Sequence, residues 1–130
     1  MMRVGYIAHQ LGAPTVAEME ANRKNAELWL AWIAYHFDVA PVASWISLSR
    51  QWPESEKLRK RGLEIDCVLI RRCDEIWLVG GRISDGMRIE MDAARDAGVV
   101  VIDLTALGHS PPSDLMIDAV RYIVEQARAA

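Results

Sequence analysis

Three short runs, "RVGYIA" at 3–8, "EIWLVG" at 75–80 and "VVVID" at 99–103, are apolar almost without a break, and stretches with helical spacing separate them. A strand apolar on both sides has no wet face and must be covered twice, which points to a parallel sheet held between two layers of helices. A fourth run, Val39 to Ala43, carries Pro41, which cannot donate to a β-ladder and so marks an edge position. Right-handed crossovers between sequential neighbours then favour the strand order 2-1-3-4. The expected fold is a doubly wound three-layer α/β sandwich with four or five parallel strands, formed by residues 1–130 as one domain.

The helices follow from local signals. Thr15 stands three residues before Glu18, the spacing of a capping box, and the helix it opens runs to about Phe37 with Ala26, Trp29, Ile33 and His36 in register. The stretch from Trp45 to Arg61 reads as irregular. Pro53 can start a helix there, and Gly62 is expected to interrupt or end it before "LEIDCVLIRRC" forms another, with Asp74 and Glu75 finishing that helix at the surface. Ser84 to Ala97 is a helix closed by Gly98, and a terminal helix follows Pro111 and Pro112.

Composition narrows the function classes. A formal net charge of -3 argues against a protein that grips a nucleic acid backbone by bulk electrostatics. No apolar run reaches the ~20 residues that span a bilayer, so no membrane partner is expected. Cys67 and Cys73 have no His or Cys at metal-ligand spacing and read as small hydrophobes under a helix. With no basic and apolar leader at the start, a reduced, cytoplasmic chain is the simplest reading. Neither a metal nor an organic cofactor is expected.

In doubly wound sheets ligands bind beyond the carboxyl ends of the strands, where the strand order reverses. That rule brings "AHQLGAPT" beside "GGRISDGM". Glu90 lies on the apolar flank of the helix that begins near Ser84, with Met87 and Ala94 as neighbours, and helical side chains lean back toward the amino end. Its carboxylate therefore aims at the turn of Ser84, Asp85 and Gly86. Two readings stand: a nucleophile, or a half-buried glutamate satisfied by a Tyr, an Arg or the backbone. Gly80, Gly81, Ser84, Asp85, Gly86 and Met87 either present backbone N–H groups to a phosphate or carboxylate or merely make a tight turn. Asp66 faces the cleft from the preceding helix. Tyr6, near the end of the first strand, either reaches the ligand or serves as a core aromatic, and His9 lies in the loop behind it. Trp45 and Trp52 either stack on a flat ring or fill space, while Trp29, Trp32 and Trp77 read as core or interface residues. "KLRKRG" reads as a solvated helix face.

Together "YIAHQLGAPT", "GLEIDCVLIRRCDEIWLVGGRISDGMRIEMDAARDAGVVVI" and their order resemble the nucleoside 2-deoxyribosyltransferase-like superfamily, above all its small DUF4406-type branch, over roughly the first hundred residues. The resemblance implies a flavodoxin-like fold and cleavage of the N-glycosidic bond of a deoxyribonucleoside or its 5'-monophosphate. It places Glu90 as the nucleophile, Gly86 as the glycine of the ligand turn, Asp66 as the helix aspartate and Tyr6 as the tyrosine that orients the nucleophile. It also implies a homo-oligomer, a dimer or tetramer. The transferases carry an aspartate where this chain has Ser84, with Asp85 displaced by one. A serine cannot act as a carboxylic acid, and its hydroxyl suits a phosphate, which favours nucleotide hydrolysis over base exchange. The tail also lacks a counterpart of the transferases' C-terminal Asn and aromatic residues. The alternatives are a nucleotide-binding or sensing module without turnover, a base-exchanging transferase, and an interaction protein that assembles through its Trp-rich first helix.

Overall fold

The computed structural model describes residues 1–130. Four strands, β1 (Arg3–Ala8), β2 (Val39–Val42), β3 (Glu75–Leu78) and β4 (Val100–Asp103), pair in parallel in the order β2-β1-β3-β4. Five α-helices connect or follow them: α1 (Val16–His36), α2 (Trp45–Gln51), α3 (Glu56–Arg71), α4 (Asp85–Asp96) and α5 (Ile117–Ala129). The result is a flavodoxin-like three-layer sandwich. No helix is long and apolar enough to cross a membrane.

Strand pleating divides the interior into two cores. Tyr6, Ala8, Ile76 and Leu78 point to the layer containing α2, α3 and α4, where they meet Trp45, Ile46, Ile70, Met87 and Ala94. Ile7, Trp77 and Val79 point the other way, to Trp29 and Ile33 of α1 and Val120 and Val124 of α5. Gly5 makes this second core possible, because a Cβ there would lie 2.9 Å from the Trp77 indole nitrogen. Pro41 falls on β2, an edge strand, where its missing donor leaves no ladder bond unmade.

The caps form where the sequence places them. Thr15 accepts the Glu18 N–H at 3.1 Å, and Ser84 accepts the Met87 N–H at 3.3 Å. Three expectations are corrected. The region after β2 is not irregular, since it contains α2 and the first turns of α3. Gly62 neither stops nor breaks α3, which runs through it, although an interior glycine costs a helix roughly 1 kcal/mol relative to alanine. Burial of Asp66 and Ile70 on the far side of Gly62 supplies the tertiary packing that overrides this weak local preference.

Glu75 does not end a helix at the surface. It is the first residue of β3 and is fully buried. Arg128 of α5 grips its carboxylate with two bonds of 2.8 and 3.0 Å, Arg3 of β1 adds one of 3.2 Å, and the Trp77 indole N–H donates at 2.9 Å. A buried carboxylate is tolerated only when its lone pairs are met in this way. Asp74 beside it accepts the Val4 N–H at 2.7 Å. This cluster ties the last helix to the two central strands. Replacing Glu75 by Ala should cost roughly 2–4 kcal/mol in urea unfolding, since Trp77 and two guanidinium groups lose their acceptor. Arg3→Ala, which removes a side chain that is itself 42% exposed and leaves Arg128 in place, should cost under about 1 kcal/mol.

Candidate active site

The strand order reverses between β1 and β3, and the chain leaves their carboxyl ends in two loops that diverge. Between these loops, α3 and the start of α4 lies an open cleft of about 760 Å³, large enough for a small organic ligand. His9, Trp52, Asp66, Ser84, Asp85, Gly86, Met87 and Glu90 line it. Tyr6 does not; it lies wholly buried beneath the floor.

Glu90 is held from below. The Tyr6 hydroxyl donates to its Oε2 at 2.7 Å, a bond between the sheet and α4 that joins residues 84 positions apart. The short, charge-assisted geometry steadies the ionised carboxylate. Asp66 approaches from α3, and its Oδ1 is buried with no hydrogen-bond partner in the protein. Burial raises the Asp66 carboxyl to about 6, with the bonding influence of Tyr6 and Glu90 opposing the rise. Glu90 is pushed well above the usual carboxylate range, by burial first and by the Asp66 charge second, while Tyr6 pulls it back down. Burial likewise raises the Tyr6 phenol, with the Glu90 charge adding to it. Burial and mutual repulsion thus drive both carboxyl groups toward their protonated forms.

His9 is buried and its ring nitrogens are both engaged. Nδ1 lies 2.7 Å from the Gln10 carbonyl, and Nε2 lies 2.8 Å from the Asn25 side-chain amide. The first bond requires Nδ1–H, so Nε2 accepts and the ring is neutral. Burial, reinforced by His109, lowers its pKa against the pull of the Gln10 carbonyl. Neither nitrogen is free for a ligand without breaking a bond. His9 shapes the cleft wall instead.

Gly80 and Gly81 were expected in the ligand turn, yet both pack away from the cleft lining. A Cβ on Gly80, whose φ is +99°, would lie 2.5 Å from the His9 ring, and one on Gly81 would lie 3.1 Å from the His109 backbone nitrogen. They let the β3 exit pass under His9 and against the segment that follows β4. That segment is pinned by Asn25 and Trp29 of α1, each donating to the His109 carbonyl at 2.7 Å. Asn25 and His109 carried no readable signal, because their pairing joins distant segments. Trp45 borders the cleft, with its indole N–H donating to the Ile7 carbonyl at 3.0 Å. Trp52 is half-buried on the cleft wall.

The "KLRKRG" run is only partly a solvated face, because Arg59 and Lys60 border the cleft. Their signal was present: Arg59 precedes Asp66 by seven residues and shares its helical face once α3 continues through Gly62. Cys67 and Cys73 are half-buried free thiols raised by burial. No group of three or more His, Cys, Asp or Glu side chains is placed to hold a metal ion.

The raised carboxyl of Asp66 has a sign-definite consequence for stability. A folded-state pKa above the ordinary 3.8 means that the native protein binds the proton more tightly than the unfolded chain, so this contribution is complete below that value. It is lost as pH rises through about 6. Asp66→Asn, which cannot ionise, should therefore be more stable than the unaltered protein at pH 8, by an amount on the order of 3 kcal/mol. The difference should shrink toward zero near pH 4. Thermal unfolding across that range checks it, and a constant offset would assign Asp66 a purely packing role.

No curated protein matches the chain. A family model described as a domain of unknown function, DUF7768, matches residues 6–103, from Tyr6 on β1 to the end of β4. The matched span holds the cleft floor entire, with Tyr6, Asp66 and Glu90 inside it. The chain belongs to the DUF7768 family.

Proposed function

We propose that this protein is an N-glycosidase acting on a nucleoside or deoxynucleoside, or on its 5'-monophosphate, through Glu90. The observation that carries the reading is the 2.7 Å bond from Tyr6 to Glu90 on the floor of an open cleft, beside a second carboxyl group with an unpartnered oxygen. The motif resemblance to the nucleoside 2-deoxyribosyltransferase-like proteins, carried by the same residues, agrees with it.

The chemistry follows from the pair. A Glu90 oxygen attacks the anomeric carbon of the sugar and forms an ester as the bond to the base nitrogen breaks. The electron pair of that bond stays with the base, which takes a proton from the Asp66 carboxyl group. Water then attacks the same carbon, Asp66 recovers a proton from it, and Glu90 leaves as a carboxylate. Tyr6 is the positioning residue, since its hydroxyl holds one Glu90 oxygen and leaves the other to react. The chain's own groups supply acid, base and nucleophile in this scheme. A base-exchanging transfer uses the same ester with a second base in place of water.

A binding module without turnover is the second reading, and Ser84 favours it, because a hydroxyl stands where the transferases carry an aspartate and cannot serve as a carboxylic acid. Chromatographic assay of ribo- and deoxyribonucleosides and their 5'-monophosphates separates the two. Release of free base should occur and should fall by at least about 10³-fold in Glu90→Ala, with Tyr6→Phe reducing it less, by roughly 10–100-fold. Binding without release from any substrate, with or without an acceptor base, would favour the module.

A further inference from the structure

Four of the eight glycines take a positive φ, and a fifth, Gly5, is crowded by Val39 and Trp77. The remaining three, Gly12, Gly62 and Gly86, need no unusual backbone, and all three line the cleft. Gly12 is explained inside the chain. A Cβ there would lie 3.1 Å from an Arg59 guanidinium nitrogen, so the absent side chain is the seat of that group. Gly62 is not: nothing lies within 4 Å of the Cβ it lacks. Alanine would favour α3 at that position without a clash, and the space it would take is cleft space.

Arg59 spans the mouth from α3 to the loop after β1. Glu54 pairs with its Nε, and Met19 Sδ lies 3.9 Å from one terminal nitrogen. Both members of the ion pair are about half exposed, so water screens it and little is lost when Arg59 exchanges Glu54 for another anion. Arg59, Gly62, Leu63 and Asp66 occupy the i, i+3, i+4 and i+7 positions of one helical face, and all four line the cleft. Seven residues of helix separate Arg59 from Asp66 by about 10 Å, the scale of a mononucleotide. Asp66 and Glu90 are the buried acids of the cleft, while Arg59, Lys60, Arg82 and Arg88 line it together with the acids Glu54, Glu56 and Asp85.

We infer that this face of α3 reads the ligand, with Gly62 leaving room for the uncharged body of the molecule and Arg59 binding a phosphate at its outer end. The inference rests on the proposed N-glycosidase reading and assigns the 5'-monophosphate, rather than the free nucleoside, as the substrate class. A guanidinium fork matches a phosphate with two parallel bonds, which Lys cannot reproduce.

The test is calorimetric binding of deoxynucleoside 5'-monophosphates, the matching nucleosides and ribose 5-phosphate to the unaltered protein, Arg59→Ala, Arg59→Lys and Gly62→Ala. Arg59→Ala should weaken the monophosphates by roughly tenfold or more while leaving nucleoside affinity unchanged, with Arg59→Lys in between. Gly62→Ala should raise the melting temperature by a few degrees and weaken nucleoside and nucleotide alike. An unchanged ratio of monophosphate to nucleoside affinity in Arg59→Ala, or native affinity in Gly62→Ala, would overturn the inference. If nucleosides and nucleotides fail to bind but ribose 5-phosphate binds and is lost in Arg59→Ala, the phosphate assignment stands and the N-glycosidase reading falls. If none of the probes binds, both fall.

Discussion

Because neighbouring side chains on β1 and β3 point to opposite faces, Tyr6, Ala8, Ile76 and Leu78 are committed to one core and Ile7, Trp77 and Val79 to the other. Every helix must then cover one of those two layers. The same parity sends Tyr6 toward α3 and α4, where it meets Glu90, and sends Glu75 toward α5, where it meets Arg128. A slip of one residue in β1 would turn Tyr6 away from Glu90, and one in β3 would turn Glu75 away from Arg128.

The two buried acidic clusters are stabilised in opposite ways. Glu75 is surrounded by donors, two of them cationic, and serves as a fastening between the sheet and the last helix. Asp66 and Glu90 face each other with one phenol between them and the sheet, and burial raises both. Groups whose environments drive them toward protonation are unfavourable for stability and useful for chemistry. Their position at the reversal of strand order, on the floor of the cleft, is where a doubly wound sheet places its ligands.

Much of this was legible along the chain. The apolar runs specified a parallel sheet, Pro41 marked its edge, and Thr15 and Ser84 marked helix starts. The location of Glu90 on an apolar flank, leaning back toward the Ser84 turn, also followed from helical geometry alone. The errors came from residues with two local meanings. Gly62 reads as a helix breaker but sits inside α3, and dividing the helix there hid the alignment of Arg59 with Asp66. Glu75 reads as surface because a lone carboxylate avoids the interior, yet Arg3 and Arg128, 72 and 53 positions away, reverse that preference. Gly80 and Gly81 resemble a phosphate turn and instead make space for His9 and the segment after β4.

By itself the sequence determined the class of sheet, where its apolar strands lie and which helix face carries Glu90, because these depend on periodicity and on contacts within a few residues; it left the strand number at four or five. Only the tertiary structure decided that Tyr6 would hold Glu90, that Asp66 would be left with an unmet oxygen, that His9 would be spent on Asn25, and that Arg59 would reach across to Gly12. Those outcomes depend on distances between segments far apart in the chain, and on how much water each polar group retains once the layers close.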